Sequence, residues 1–129
     1  MAEVHESKRV EAAPAEVWEK IGDFHGMHKW FPGMQPSESI DDGRARKFDL
    51  GTSVLVEELV EEGDHSYSYT IGDGSPLPVK SYRSTLRVSP DADGSLVEWS
   101  STFDPADGTS EEQAVAVISG IYLTALGAL

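Results

Sequence analysis

From Ala114 to Leu129 the chain carries no charged residue. Within that run Val117, Ile118, Ile121, Tyr122, Ala125, Leu126 and Leu129 recur at helical spacing. Thr109 with Glu112 fits a capping box at its start. The run falls just short of the roughly 17 residues that a helical membrane span needs, so no membrane insertion is expected. A helix apolar on several sides must instead be covered by a sheet or by a partner. The rest of the chain therefore has to supply that cover.

Most of it reads as strands. Tyr67, Tyr69 and Ile71 alternate with Ser66, Ser68 and Thr70, the clearest period-2 pattern in the sequence. Further strands are expected over Val4–Val10, Ser37–Ile40, Arg44–Leu50, Thr52–Glu61, Val79–Ser89 and Leu96–Phe103, with turns at Asp41-Asp42-Gly43, Glu62-Gly63-Asp64, Gly72-Asp73-Gly74 and Asp91-Ala92-Asp93-Gly94. Pro14 opens a helix at a position where its missing N–H costs nothing, and Gly22 suits its stop. Phe24–Phe31 is predicted as a second short helix, ended by Pro32-Gly33. No repeat or linker interrupts the order, so residues 1–129 are read as one α+β domain, an antiparallel sheet wrapped against the final helix.

Ten Lys+Arg against 23 Asp+Glu give a formal net charge of −13. Such a surface repels phosphate backbones and anionic lipid heads, which argues against nucleic-acid and membrane-surface partners. The absence of Cys removes disulfides, thiolate nucleophiles and zinc–cysteine sites. No basic stretch followed by an apolar run marks the N-terminal residues, so a cytoplasmic location is expected. No phosphate-cradling or hydrolase motif occurs, and no cofactor is expected. His25 and His28 near Asp23 read as exposed imidazoles rather than metal ligands, and no metal is expected.

Several residues are candidates for chemistry. Trp30-Phe31-Pro32 either lies at the mouth of a pocket or plugs one end of the core. Leu77, held between Pro76 and Pro78, sits in a stiff loop that points outward or over a cavity. Tyr67, Tyr69, Tyr82 and Trp99 can fill a core and still offer polar groups to a ligand. Glu57 and Glu98 stand inside apolar strands, where an inward carboxylate is costly unless paired or wet. Either they face solvent or one of them is poised as an acid or base.

Taken in order, Ala12-Ala13-Pro14-Ala15-Glu16-Val17-Trp18, Gly22-Asp23-Phe24, Trp30-Phe31-Pro32, Glu57-Glu58-Leu59, Tyr69-Thr70-Ile71, Pro76-Leu77-Pro78-Val79, Tyr82-Arg83-Ser84 and Trp99-Ser100 form a pattern. Over nearly its whole length the chain resembles the bacterial polyketide cyclase/dehydrase family of the START-like superfamily (SRPBCC), which also holds the birch-pollen-allergen (Bet v 1-like) proteins and the plant abscisic-acid receptors. The resemblance implies a helix-grip fold. In it a curved seven-stranded antiparallel sheet surrounds a long C-terminal helix, two short helices close one end, and an internal cavity lies between.

Against the plant receptors, the resemblance places Tyr82 and Ser84 on the pocket wall with ligand-bridging waters, and Glu57 and Glu98 in the same water network. It makes Tyr69, Ile71, Leu77, Val117 and Ile121 candidate ligand contacts, and Leu55, Trp30, Phe31, Tyr67 and Ala125, which stands where the receptors carry a helix asparagine, are counted with them. The gate loop of those receptors is reduced here to Leu50-Gly51-Thr52, and the lysine that meets the hormone carboxylate has no counterpart near Pro32-Gly33. Hormone reception is therefore not implied. One parity conflict follows. The apolar pattern turns Val97, Trp99, Ser101 and Phe103 inward, whereas the resemblance turns Leu96, Glu98, Ser100 and Thr102 toward the cavity; the second set is the expectation carried forward.

Three functions compete. The first is binding of a small hydrophobic or aromatic molecule in the cavity. The second is a cyclase or dehydratase in which Tyr82 donates to a carbonyl and Glu57 or Glu98 moves a proton. The third is an interaction protein with a vestigial cavity. Monomer and dimer both stay open.

Overall fold

The period-2 segment forms strand β5, Ser66–Ile71, at the middle of a seven-stranded antiparallel sheet. The computed structural model describes residues 1–72 and 75–129, so the expected Gly72-Asp73-Gly74 turn lies largely outside the described residues. The strands are β1 Ala2–Val10, β2 Glu38–Ile40, β3 Ala45–Asp49, β4 Val54–Gly63, β5, β6 Val79–Asp91 and β7 Gly94–Pro105. From β2 to β7 each strand pairs with the next, and β1 closes the far edge against β7. Helix α1, Pro14–Ile21, has Pro at its start as expected. Helix α2, Glu111–Leu126, packs across β1 and β7.

Strand β7 resolves the parity conflict against the resemblance. Val97, Trp99, Ser101 and Phe103 are buried, while Leu96, Glu98, Ser100 and Thr102 are half-buried on the outer face. A one-residue shift would have exposed Trp99 and Phe103, a loss of several kcal/mol of apolar burial by the usual ~1.5–3 kcal/mol per large side chain. Apolar pattern therefore outweighs an inward Glu98. In β6 a register shift between Lys80 and Arg83 is carried by Ser81, which sits in the left-handed region at φ 54°. The bulge leaves Lys80 and Ser81 both outward, and so lets Val79 and Tyr82 both point in.

Two local expectations shift. The cap of α2 is Ser110 with Gln113, each side chain bonding the other's backbone N–H, rather than Thr109 with Glu112. Thr109 N–H is already engaged with the Ala106 carbonyl in the preceding turn. The predicted helix over Phe24–Phe31 shrinks to a single 3-10 turn, Met27–Lys29. Asp23 Oδ1 accepts from His25 N–H at 2.9 Å, and this local turn competes with helix propagation.

Ala114, Ile118, Tyr122, Ala125 and Leu126 are the buried face of α2. Val117 is 42% exposed and points away from the sheet, so it does not contact the cavity as the resemblance implied. Residues 117 and 118 lie about 100° apart around a helix, and Ile118 holds the inward position.

Candidate functional site

Between the concave face of the sheet and α2 lies a cavity of about 360 Å³. Alternation on each strand determines what faces it. Phe48 on β3, Leu55 and Glu57 on β4, Tyr69 on β5, Tyr82 on β6 and Trp99 on β7 form the sheet wall. Ile118, Ile121 and Tyr122 form the helix wall, at i, i+3 and i+4. Phe31, Pro32, Met34, Leu50 and Leu77 line the rim. Helix and sheet meet where the Tyr122 ring stacks on Trp99, with centroids 4.2 Å apart and planes at 14°.

Beneath this wall runs a hydrogen-bond chain whose direction can be worked out. Ser84 Oγ–H donates to the Ser100 carbonyl at 3.0 Å, and Trp99 Nε1–H donates to Ser84 Oγ at 2.9 Å. The one Ser84 proton is thereby used, so Tyr122 donates to Ser84 across their 2.9 Å contact. The Tyr122 proton is then used, so Tyr82 donates to Tyr122 in the short bond between their hydroxyls. Toward the cavity Tyr82 is left with lone pairs only. Burial raises the pKa of Tyr67 and Tyr82 and pushes Tyr69 and Tyr122 well above the usual phenol range. All four phenols stay neutral in the fold.

A second polar element comes from β3 and β4, where Arg46 and Glu57 are cross-strand partners. Arg46 Nε donates to Glu57 Oε1 at 2.7 Å, Nη2 lies 2.6 Å from the same oxygen, and Nη1 donates to the Phe24 carbonyl at 2.8 Å. The guanidinium lies 4.1 Å from the Phe24 ring centroid and 4.9 Å from that of Tyr69. Burial opposes its charge, but Glu57, with Tyr67 and Tyr69, outweighs that and raises its pKa above the ordinary arginine value. Arg46 was absent from the sequence-based candidates. The available signal was its parity: it shares the inward register of Phe48.

The other candidates separate clearly. Phe31, Leu55, Glu57, Tyr69, Leu77, Tyr82 and Ile121 line the cavity. Trp30 is buried behind Trp99, ring centroids 5.9 Å apart, and plugs the core. Tyr67 packs against Phe24 and reaches Arg46. Ile71, Ser84 and Ala125 are buried but are not among the described cavity-lining residues. Glu98 contacts His5 at 2.8 Å on the outer face, so it is corrected from an inward to an outward carboxylate. Met27, Met34, Phe48, Trp99, Ile118 and Tyr122 join the lining without having been proposed as contacts from the resemblance. Among the described residues no three His, Asp or Glu side chains converge as metal ligands, and no helix is long and apolar enough to cross a membrane.

This geometry has clear relatives. A family model described as polyketide cyclase/dehydrase and lipid transport matches residues 1–129. No curated protein matches the chain. Among solved structures, the protein XoxI from Bacillus cereus is 34% identical, with 99% of this chain and 92% of that one covered and a TM-score of 0.91. A protein from Bacillus thuringiensis is 33% identical, with 99% and 96% covered and a TM-score of 0.89. A START superfamily protein from Mycobacterium smegmatis is 13% identical, with 97% and 94% covered and a TM-score of 0.70, a likeness of fold alone.

Proposed function

The chain belongs to the polyketide cyclase/dehydrase and lipid transport family, and from that premise we propose that its cavity binds a small hydrophobic or aromatic molecule, to sequester, carry or present it. The observation that carries this reading is the cavity itself, about 360 Å³ and walled by the rings of Phe48, Tyr69, Tyr82 and Trp99. Its volume falls at the lower end of the ~300–1,000 Å³ typical of ligand pockets. A ligand with the apolar surface of a large aromatic side chain, about 150–250 Å², would gain about 4–6 kcal/mol from burial. That only matches the lower end of the association cost, so polar contacts must complete the affinity.

The catalytic alternative has less support. Glu98 faces away from the cavity, the Tyr82 proton is engaged with Tyr122, and Glu57 is tied to Arg46. The vestigial-cavity alternative is disfavoured by the volume of the cavity. The test is titration with a neutral, environment-sensitive naphthalene fluorophore, alongside native mass spectrometry of protein purified from its own host. Wild type is expected to bind one probe molecule, and Ile121→Trp, which fills the cavity, to bind at least about tenfold more weakly at similar melting temperature. Equal binding by both proteins would overturn the proposal.

A further inference from the structure

The hydrogen-bond directions in the cavity wall say what kind of polar group a ligand must bring. We propose that the site selects a neutral ligand bearing a hydroxyl, an alcohol or a phenol, on its apolar body, and that it turns away carboxylates; this rests on the binding reading above. The first ground is Tyr82. Its proton is committed to Tyr122, whose own proton goes to Ser84, and the direction is set by the Ser100 carbonyl, which takes the Ser84 proton, while the indole N–H of Trp99 is a further donor to Ser84. It meets a ligand as an acceptor.

The second ground is Glu57. Both of its contacts with Arg46 use Oε1. Among the described residues no hydrogen bond is made to Oε2, and Glu57 is part of the cavity lining. A carboxylate accepts and does not donate. Glu57 and Tyr82 face the same space: their strands are both neighbours of β5, where Ile71 is the register partner of each. The charge of Glu57 is also felt at Tyr69 and Tyr82, where it adds to the effect of burial on their phenols.

The third ground is what the cavity lacks. Arg46 is fully buried behind the wall and is not among the lining residues, so no cation lines it among the described residues. An anion entering would meet Glu57 inside a chain of net charge −13. An ammonium would approach Glu57 with the Arg46 guanidinium already on its other oxygen. A neutral donor avoids both penalties. Tyr69, whose ring lies 6.1 Å from that of Tyr82, brings its hydroxyl within hydrogen-bonding reach of the Tyr82 hydroxyl, so its proton is directed to Tyr82 rather than to a ligand. A hydroxyl brings the one proton this wall asks for, which Glu57 or Tyr82 can accept, without the charge of an ammonium.

Three probes that share one ring system test this: 2-naphthol, 2-methoxynaphthalene and 2-naphthoate, each titrated by displacement of the neutral fluorophore at neutral pH. The naphthol is expected to bind about ten- to a hundredfold more tightly than the ether, the span for one hydrogen bond to a charged acceptor, and the naphthoate more weakly than either. Glu57→Gln turns an amide toward the cavity and is expected to narrow the naphthol-to-ether ratio. Tyr82→Phe removes the second acceptor and is expected to narrow it as well, which keeps the test decisive if Glu57→Gln fails to fold. Ether or naphthoate binding as tightly as naphthol would overturn the hydroxyl assignment while leaving the cavity reading intact. An unchanged ratio in the folded variants would overturn it too. Failure of the fluorophore and of all three probes to bind would overturn the cavity reading, and this inference with it.

Discussion

Every tyrosine of the chain is buried, and that predicts a specific response to alkali. The four, Tyr67, Tyr69, Tyr82 and Tyr122, are each at most 4% exposed. Burial is the largest cause of a raised pKa at each, and Tyr69 and Tyr122 are raised well above the usual value near 10. In the unfolded chain all four ionise near pH 10. Below that pH both states hold the protons, and the tyrosines give stability no pH dependence. Above it the unfolded state releases protons that the native state keeps, so stability falls as pH rises. Each tyrosine contributes up to about tenfold in the folding equilibrium per pH unit, until the pH passes its own native pKa. Tyr69 and Tyr122 alone give about a hundredfold per unit. All four together give about ten-thousandfold at most, roughly 5 kcal/mol per unit. Against a total stability of about 5–15 kcal/mol, the fold should be lost no sooner than about one to three units above pH 10. The assay is phenolate absorbance and far-ultraviolet circular dichroism followed on the same samples through an alkaline titration. One steep transition seen at the same pH by both probes is expected. A gradual phenolate titration centred near pH 10, with native dichroism retained, would refute the argument, because it would mean that the phenols ionise inside the fold.

Four further outcomes follow from single contacts. Arg46→Met strands Glu57 in the wall and should cost about 3–5 kcal/mol in urea unfolding, whereas Arg46→Met with Glu57→Leu should recover most of it; a double variant as unstable as the single would contradict this. Ser110→Ala removes the α2 cap and should cost about 1 kcal/mol by thermal denaturation, and no loss would mean that the capping box carries no net stability. Ser81→Gly relieves the left-handed position in the β6 bulge and should stabilise by about 1 kcal/mol, and a loss of stability would count against strain there. Glu98→Gln touches only an outer-face pair with His5 and should change stability by less than about 1 kcal/mol and leave fluorophore binding unaltered, while abolished binding would return Glu98 to the cavity.

Glu57 and Glu98 show what a sequence of this kind reveals and what it hides. Each is a carboxylate in an apolar strand, and residue type alone does not tell them apart. Parity does so in the fold. Glu98 sits between Val97 and Trp99, both inward, and must therefore face out. That much was legible, because the alternation of Val97, Trp99, Ser101 and Phe103 is a direct statement about burial. The resemblance to distant receptors pointed the other way, and the pattern in this chain's own residues was the better guide. Glu57 is different. Its inward place depends on Arg46, its cross-strand partner eleven residues earlier, and on the ring of Phe24 that covers the guanidinium. A buried ion pair of this sort is a property of register, and register between strands is written in no single segment.

The helix gives the same lesson from the other side. Its lack of charge was readable and demanded cover by a sheet or a partner, of which the fold supplies the sheet, yet the same lack of charge erased the contrast between its faces. Val117 and Ile118 look alike in sequence, and only packing against β1 and β7 makes Ile118 the inward one. Tyr122 was visible as an apolar position and invisible as a hydrogen-bond donor. Its donation to Ser84 needs Trp99 on one strand, Ser84 on the next and the helix above them at once. The polar character of the cavity is thus fixed by three elements that converge only in the folded chain. A substitution at a residue that does not itself line the cavity can invert it. Ser84→Ala would free the Tyr122 proton, let the Tyr82 bond reverse, and present a donor where the wall now accepts.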